Sequence, residues 1–159
     1  MVPTFSIVIP LYNKATAVSD TLASVLAQTL TDFDVLIIDD GSTDGSADVV
    51  KAWLKSTGDN RFQCLPQGNA GVSATRNRGI ELTQADYLIF LDADDLWAPT
   101  HLAHIQALIN QFPQAGAYAT AFVEEVQDDQ GNSHTFPHRI YGLNDQPVLV
   151  NNYFEVASR

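Results

Sequence analysis

The chain has 159 residues, 45% of them apolar, enough for one domain with a real core, and this excludes a disordered or fibrous protein. Eight Lys and Arg against nineteen Asp and Glu give a net charge of −11, the opposite of a footprint that neutralises nucleic-acid phosphates or meets anionic lipid. No apolar run approaches the roughly 18 residues that span a bilayer, and no basic start leads into a hydrophobic stretch, so a soluble chain without a targeting segment is expected.

Phe5-Ser6-Ile7-Val8-Ile9-Pro10 is a β-branched run stopped by proline, after which Val18, Leu22, Val25 and Leu26 recur at helical spacing. Asp34-Val35-Leu36-Ile37-Ile38 is apolar at successive positions, as in a strand buried on both faces of a parallel sheet. It ends in Asp39-Asp40-Gly41-Ser42-Thr43-Asp44-Gly45, and Val49, Val50, Trp53 and Leu54 then indicate a helix. Arg61-Phe62-Gln63-Cys64-Leu65 reads as a short buried strand. Its single thiol cannot build a disulfide framework, so a reducing compartment is expected. The loop Gln67-Gly68-Asn69-Ala70-Gly71 leads into a helix over 72–82. Tyr87-Leu88-Ile89-Phe90-Leu91 is the clearest strand, and Pro99 opens a helix carrying Leu102, Ile105, Leu108, Ile109 and Phe112.

Four βα units in series predict an α/β fold, an open and mostly parallel sheet flanked by helices and joined by right-handed crossovers. From about Gly116 the texture changes. Residues 117–126 and 133–141 read as two strands around Asp128-Asp129-Gln130-Gly131-Asn132, an appended β-hairpin, and 144–159 carry no strong pattern or closing signal. The division expected is a βα core over 1–115, followed over 116–159 by the hairpin and the start of a truncated region.

Ligands of open α/β sheets bind beyond the carboxyl ends of the strands. The residues there are Pro10, Tyr12 and Asn13 after the first strand and Asp39, Asp40, Ser42 and Asp44 after the second. Gln67, Asn69 and Gly71 follow the third, and Asp92, Asp94 and Asp95 the fourth. Carboxylates gathered at one edge repel unless a cation or hydrogen-bond donors join them. Oxygen ligands favour Mg²⁺ or Mn²⁺ over zinc, and Mg²⁺ is typically held by one or two carboxylates together with phosphates. Arg76 and Arg78, near the start of the third helix, and the backbone N–H groups of that helix end could meet such phosphates.

Each cluster also has a plainer reading. Residues 39–44 could be a solvated turn with Thr43 or Asp44 capping a helix, and 92–95 a capped turn before the Pro99 helix. Together, at strand ends of one sheet, a shared site explains them better. Tyr12 could stack on a planar base or pack on the sheet rim. His101, His104, His134 and His138 read as surface residues, and Trp97 could close a pocket or plug a helix start.

The segments Phe5-Ser6-Ile7-Val8-Ile9-Pro10-Leu11-Tyr12-Asn13-Lys14, Val35-Leu36-Ile37-Ile38-Asp39-Asp40-Gly41-Ser42-Thr43-Asp44-Gly45-Ser46, Asn69-Ala70-Gly71 with Ala74-Thr75-Arg76-Asn77-Arg78-Gly79, and Phe90-Leu91-Asp92-Ala93-Asp94-Asp95 resemble a family-2 glycosyltransferase over residues 4–125. The resemblance implies a GT-A fold, a Rossmann-like core that binds a nucleotide sugar. It implies Pro10 and Tyr12 beside the nucleobase, with Asn13 in the same loop, and Asp40 beside Asp39 accepting the uracil N3–H, a pairing cytidine cannot make. Asn69 belongs to the same nucleotide site, and Arg76 is expected at the base or diphosphate. Asp92 and Asp94 match the D-x-D pattern, Asp94 as direct metal ligand and Asp92 nearer the ribose or metal-bound water.

The implied reaction is inverting transfer of a sugar, of hexosyltransferase type, from a UDP-linked donor to a sugar or lipid-linked acceptor hydroxyl. Its setting is cell-surface polysaccharide or lipopolysaccharide synthesis, in the cytoplasm or at the inner face of the membrane. The family's later Glu-Asp pair and Gln-x-x-Arg-Trp motif have no match here, so no catalytic base is assigned among Glu124, Glu125, Asp128 and Asp129. A donor-binding fragment without transfer activity is the alternative, and an uncovered edge could make it a homodimer. A haloacid-dehalogenase-like phosphatase would carry its Asp-x-Asp on the first strand, and a receiver domain its acidic pair there. Here these come fourth and second.

Overall fold

The structure, a computed structural model, describes residues 2–120, 122–127, 130 and 133–138. Asp128, Asp129, Gly131 and Asn132 of the expected turn, the extension of the returning strand to 141, and 144–159 lie outside the described residues. The elements are β1 (Phe5–Leu11), α1 (Val18–Leu26), β2 (Phe33–Asp39), α2 (Ser46–Thr57), β3 (Phe62–Pro66), α3 (Val72–Leu82), β4 (Tyr87–Phe90), α4 (His101–Gln111), β5 (Phe122–Gln127) and β6 (Ser133–His138). Two compact units, 1–102 and 103–159, divide the chain within α4. The second unit contains the expected hairpin, β5 antiparallel to β6 with Phe122 opposite His138.

The first unit is built on a parallel four-stranded sheet in the order β3-β2-β1-β4, the mostly parallel α/β architecture expected. β1 is central: Phe5 lies opposite Phe33 of β2 and opposite Tyr87 of β4. Pairing on both sides explains its run of buried residues, which includes Ser6, whose Oγ donates to Asp34 Oδ1 at 2.6 Å. Pro10 fits because Val8 and Pro10 share the β4-facing parity and the β1–β4 ladder ends at Phe90, so no ladder bond is lost there.

Two expectations need correction at the sheet edges. β3 is not a buried strand: among the described residues it pairs with β2 alone, and Gln63 is exposed and Cys64 half-buried. Pro99 does not open α4. Ala98 O accepts from His101 N at 2.9 Å, which makes Pro99 part of a preceding turn. In α1 the periodic Val18, Leu22 and Val25 are fully buried, while Leu26 falls on the solvent side.

α3 crosses close to the sheet at Gly79. A Cβ there would lie 2.4 Å from Val8 Cγ1, and Val8 is fully buried in the central strand. Neither a β-branched side chain nor its strand can yield that space, so Gly79→Ala is overpacking. It is expected to cost about 1–3 kcal/mol, read as a melting temperature lowered by roughly 2–10 °C.

Candidate functional site

The carboxyl ends of β1, β2 and β4 meet at one rim, and the first two are stapled together. Asn13, left-handed at φ 53°, accepts from Thr43 N through Oδ1 at 2.8 Å, while its own N donates to Ser42 Oγ at 3.1 Å. Lys14 N donates to Ser46 Oγ at 2.8 Å and Ala15 N to Asp44 Oδ2 at 3.0 Å. Asp39 Oδ1 accepts Ser42 N at 3.2 Å inside the same turn. Much of the Asp39–Ser46 motif therefore fixes the course of the chain after β1, and the amide of Asn13 is committed to that staple.

Asp40 stands apart from its neighbours. It is 3% exposed, and its Oδ1 accepts Gln67 Nε2 at 2.7 Å and Ala70 N at 2.8 Å while Oδ2 accepts Gly71 N at 2.8 Å. Gln67 is itself oriented: its second amide hydrogen goes to Thr75 Oγ1 at 3.0 Å, and its Oε1 accepts Arg78 Nη1 at 3.1 Å. Burial alone would push the Asp40 carboxyl up, but the bonds from Gln67, Ala70 and Gly71 outweigh it and hold the group below the ordinary carboxylate range. The N–H of Gly71, the residue capping α3, is thus taken by a protein carboxylate. These groups enclose a cavity of about 200 Å³ walled by Pro10, Tyr12, Asp40, Asn69, Gly71 and Thr75. Tyr12, half exposed, forms its open side. A carboxylate offers about four acceptor positions; Gln67, Ala70 and Gly71 take three of them, and the Thr75 hydroxyl also stands in hydrogen-bonding reach of the group.

On the other side of β1, the turn after β4 carries the remaining aspartates. Thr21 Oγ1 of α1 donates to Ala93 O at 2.9 Å, Ser24 Oγ accepts Trp97 N at 3.2 Å, and Gln28 binds Ala98 O at 2.8 Å and Leu102 N at 3.0 Å. Clamped in this way, the turn presents Asp92 and Asp94 half-exposed, each against a cation. Arg76 Nη2 lies 2.6 Å from Asp92 Oδ1, and Lys14 Nζ lies 2.5 Å from Asp94 Oδ2. The Lys14 ammonium is held above its ordinary pKa by the Asp94 hydrogen bond and charge. Partial desolvation and the charges of Asp92 and Asp94 push the Asp95 carboxyl up. Among the described residues no three acidic, imidazole or thiol groups gather to enclose an ion. The donor set is instead a pair of oxygen ligands, which suits a divalent ion shared with phosphates.

Most of the residues singled out from sequence meet at this rim, in two groups flanking β1. Pro10, Tyr12, Asp40 and Asn69 face the cavity, and Arg76, Asp92 and Asp94 form the charged group. Asn13 and Asp39 bond within the loops. Of the backbone N–H groups at the start of α3, expected as a place for phosphates, that of the capping Gly71 is occupied by Asp40. Sequence reasoning gave no role to Gln67 and Thr75, which build the Asp40 network, or to Lys14. The hint for Lys14 was a lone base beside the strand end of a very acidic chain.

The model of Glycosyl transferase family 2 matches residues 6–158. The chain belongs to this family. It is 42% identical over 95 residues to the uncharacterized glycosyltransferase YibD of Escherichia coli strain K12, covering 60% of this chain and 27% of that protein. It is 40% identical over 110 residues to the succinoglycan biosynthesis protein ExoW of Rhizobium meliloti, covering 67% and 34%. The chain thus spans only about a third or less of the length of these relatives. The fold is shared with the mannosyltransferase PcManGT from Pyrobaculum calidifontis in complex with GDP-Man and Mn²⁺ (TM-score 0.61, 24% identity, 65% of this chain and 31% of that one). It is shared too with residues 1–349 of S. aureus TarS in complex with UDP (TM-score 0.63, 22% identity, 78% and 41%). These neighbours establish the GT-A fold of this family-2 chain.

The network around Asp40 predicts a pH signature. Because its folded pKa lies below the ordinary value, the contribution of Asp40 is complete above about pH 4 and is lost as pH falls through the folded pKa. Asp40→Asn, which leaves buried N–H donors facing an NH₂ group, is expected to cost about 1–3 kcal/mol at pH 7. In urea denaturation the gap between wild type and variant narrows at pH 3.

Proposed function

We propose that residues 1–115 form the donor-binding part of an inverting glycosyltransferase that moves a hexose from a UDP-linked donor to a sugar or lipid-linked acceptor hydroxyl. The observation that carries the reading is the pairing, on either side of β1, of an ionised buried acceptor in a small cavity with a clamped Asp92/Asp94 turn. Asp40 accepts a ring N–H, which uracil supplies at N3 and cytosine lacks, while the Tyr12 ring borders the base plane. Pro10 and Asn69 close the cavity around it.

From there the diphosphate runs toward the β4 turn. Asp94 would be the direct ligand of a Mg²⁺ or Mn²⁺ ion, and Asp92, paired with Arg76, would lie nearer the ribose or the hydration shell of that ion. When bound, the ion supplies Lewis-acid stabilisation of the charge that develops on the departing diphosphate. Arg76 adds a fixed positive charge beside it. The acceptor proton requires a carboxylate base, and none of the residues at this rim is placed in that role. The ExoW likeness supports a setting in polysaccharide assembly, and the proposal places it in the cytoplasm or at the inner face of the membrane; among the described residues no helix is long and apolar enough to cross one.

Calorimetric titration tests the reading. UDP is expected to bind with Mn²⁺ and to lose at least about tenfold in affinity, roughly 1.4 kcal/mol, on chelation of the ion or in Asp94→Ala. CDP is expected to bind more weakly than UDP in the wild type by a similar factor, and Asp40→Asn to erase that preference. Equal affinity for UDP with and without divalent ions overturns the proposal. Release of UDP from a UDP-sugar separates an active transferase from a chain that only binds the donor.

A further inference from the structure

We propose that Lys14 is a built-in competitor for the divalent cation at Asp94, its ammonium holding that carboxylate until the ion displaces it. The inference rests on the reading of Asp94 as a metal ligand.

The contact is direct: Lys14 Nζ lies 2.5 Å from Asp94 Oδ2. The charges of Asp92 and Asp95 add to the attraction, so the ammonium sits among three carboxylates, where a divalent ion would also be drawn. The two side chains are 43% and 44% exposed, and an exposed pair between a flexible, well-hydrated ammonium and a carboxylate is weak enough to open.

Lys14 cannot leave altogether. Its backbone is fixed at both groups, N to Ser46 Oγ at 2.8 Å and O to the N–H groups of Ala17 and Val18 at 3.1 and 3.0 Å. A displaced ammonium therefore stays tethered within reach of Asp94, at high effective concentration. Arg76 differs. Its guanidinium lies 5.7 Å over the Phe90 ring and 2.6 Å from Asp92, a second and separate ion pair, while its buried Nε has no hydrogen-bond partner among the described residues.

A purely structural brace between the β1–α1 loop and the β4 turn is the plainer account of this pair. Both segments are already held by other bonds. Ser42, Asp44 and Ser46 secure residues 13–15, and Thr21 of α1 secures Ala93. The ion pair is thus surplus to the architecture and placed at a ligand.

The test is Mn²⁺ binding to the nucleotide-free chain at pH 7, with free ion followed by electron paramagnetic resonance and folding checked by thermal melting. Lys14→Met and Lys14→Gln remove both the competing contact and the repulsion between ammonium and ion. Each is expected to bind Mn²⁺ at least about fivefold more tightly than wild type. Lys14→Arg keeps a cation there and is expected to remain within about twofold of wild type. Affinity unchanged or weakened in both neutral variants, while Asp94→Asn abolishes binding, overturns the competitor and leaves Asp94 a ligand. Mn²⁺ affinity unaltered by Asp94→Asn overturns the metal reading and the competitor with it.

Discussion

The rim of this sheet is organised around one buried negative charge. Asp40 is almost wholly removed from water, and an ionised carboxylate in that position is costly unless its oxygens are met by donors. No cation meets it. The donors are neutral: Gln67, Ala70 and Gly71 of the loop that enters α3, with Thr75 of α3 itself beside them. Satisfying the charge therefore drags the start of α3 across the end of β2, where the helix N-terminus also favours an anion. The cavity wall of Asn69, Gly71 and Thr75 follows from that placement. Gly41 permits it: with φ at 73°, a Cβ there would stand 3.1 Å from Asn69 N. The shape of the pocket is a consequence of hydrogen-bond satisfaction at Asp40.

A second anchoring system works on the opposite side of β1. Thr21 and Ser24 of α1 and Gln28, just beyond its C-terminal end, all bind backbone groups between Ala93 and Leu102. The loop after β4 is held through its carbonyls and N–H groups while the side chains of Asp92 and Asp94 stay free to meet cations. Rigid backbone with half-exposed carboxylates is what a shared ion site needs, because ligand positions are then set before the ion arrives. The fold places one charge in a closed, donor-filled environment and two others in an open one, and their different chemistry follows from that difference.

Those parts of the fold that depend on local pattern were legible in the sequence. The β-branched runs at Ile7–Ile9 and Val35–Ile38 and the periodic Val18, Leu22 and Val25 became central strands and a buried helix face. Edge position was not legible. Tyr87 to Phe90 looks as apolar as β1, yet β4 is a four-residue edge strand only partly buried, and Cys64 sits on the other edge. A strand's own residues do not say how many neighbours it will have. Pro99 shows another limit, since proline suits a turn before a helix as well as its first position. At the site, the carboxylates were recognisable by type and by place after a strand. Their partners, Gln67, Thr75 and Lys14, are 27, 35 and 80 residues away from the acids they serve, and no local spacing encodes such pairs.

The acidity of the chain acquires a different meaning in the folded molecule. Its net charge of −11 suggests a surface crowded with ligands for cations, yet many of the aspartates are committed as hydrogen-bond acceptors. Asp32 takes Thr4 Oγ1, Asp34 takes Ser6 Oγ, Asp44 takes Ser46 Oγ, and Asp59 takes the guanidinium of Arg61, itself stacked 4.3 Å over the Phe33 ring. Aspartate suits these positions because its short side chain reaches back to nearby backbone and hydroxyl donors at strand ends and turns. The Asp39–Ser46 motif illustrates the division within eight residues. Asp39 and Asp44 serve the loop, Asp40 faces the cavity, and a turn built for the chain's own course also supports the wall of the cavity proposed as a ligand site. A capped turn and a binding site are therefore not rival explanations of an acidic motif, since the first provides the rigidity the second requires.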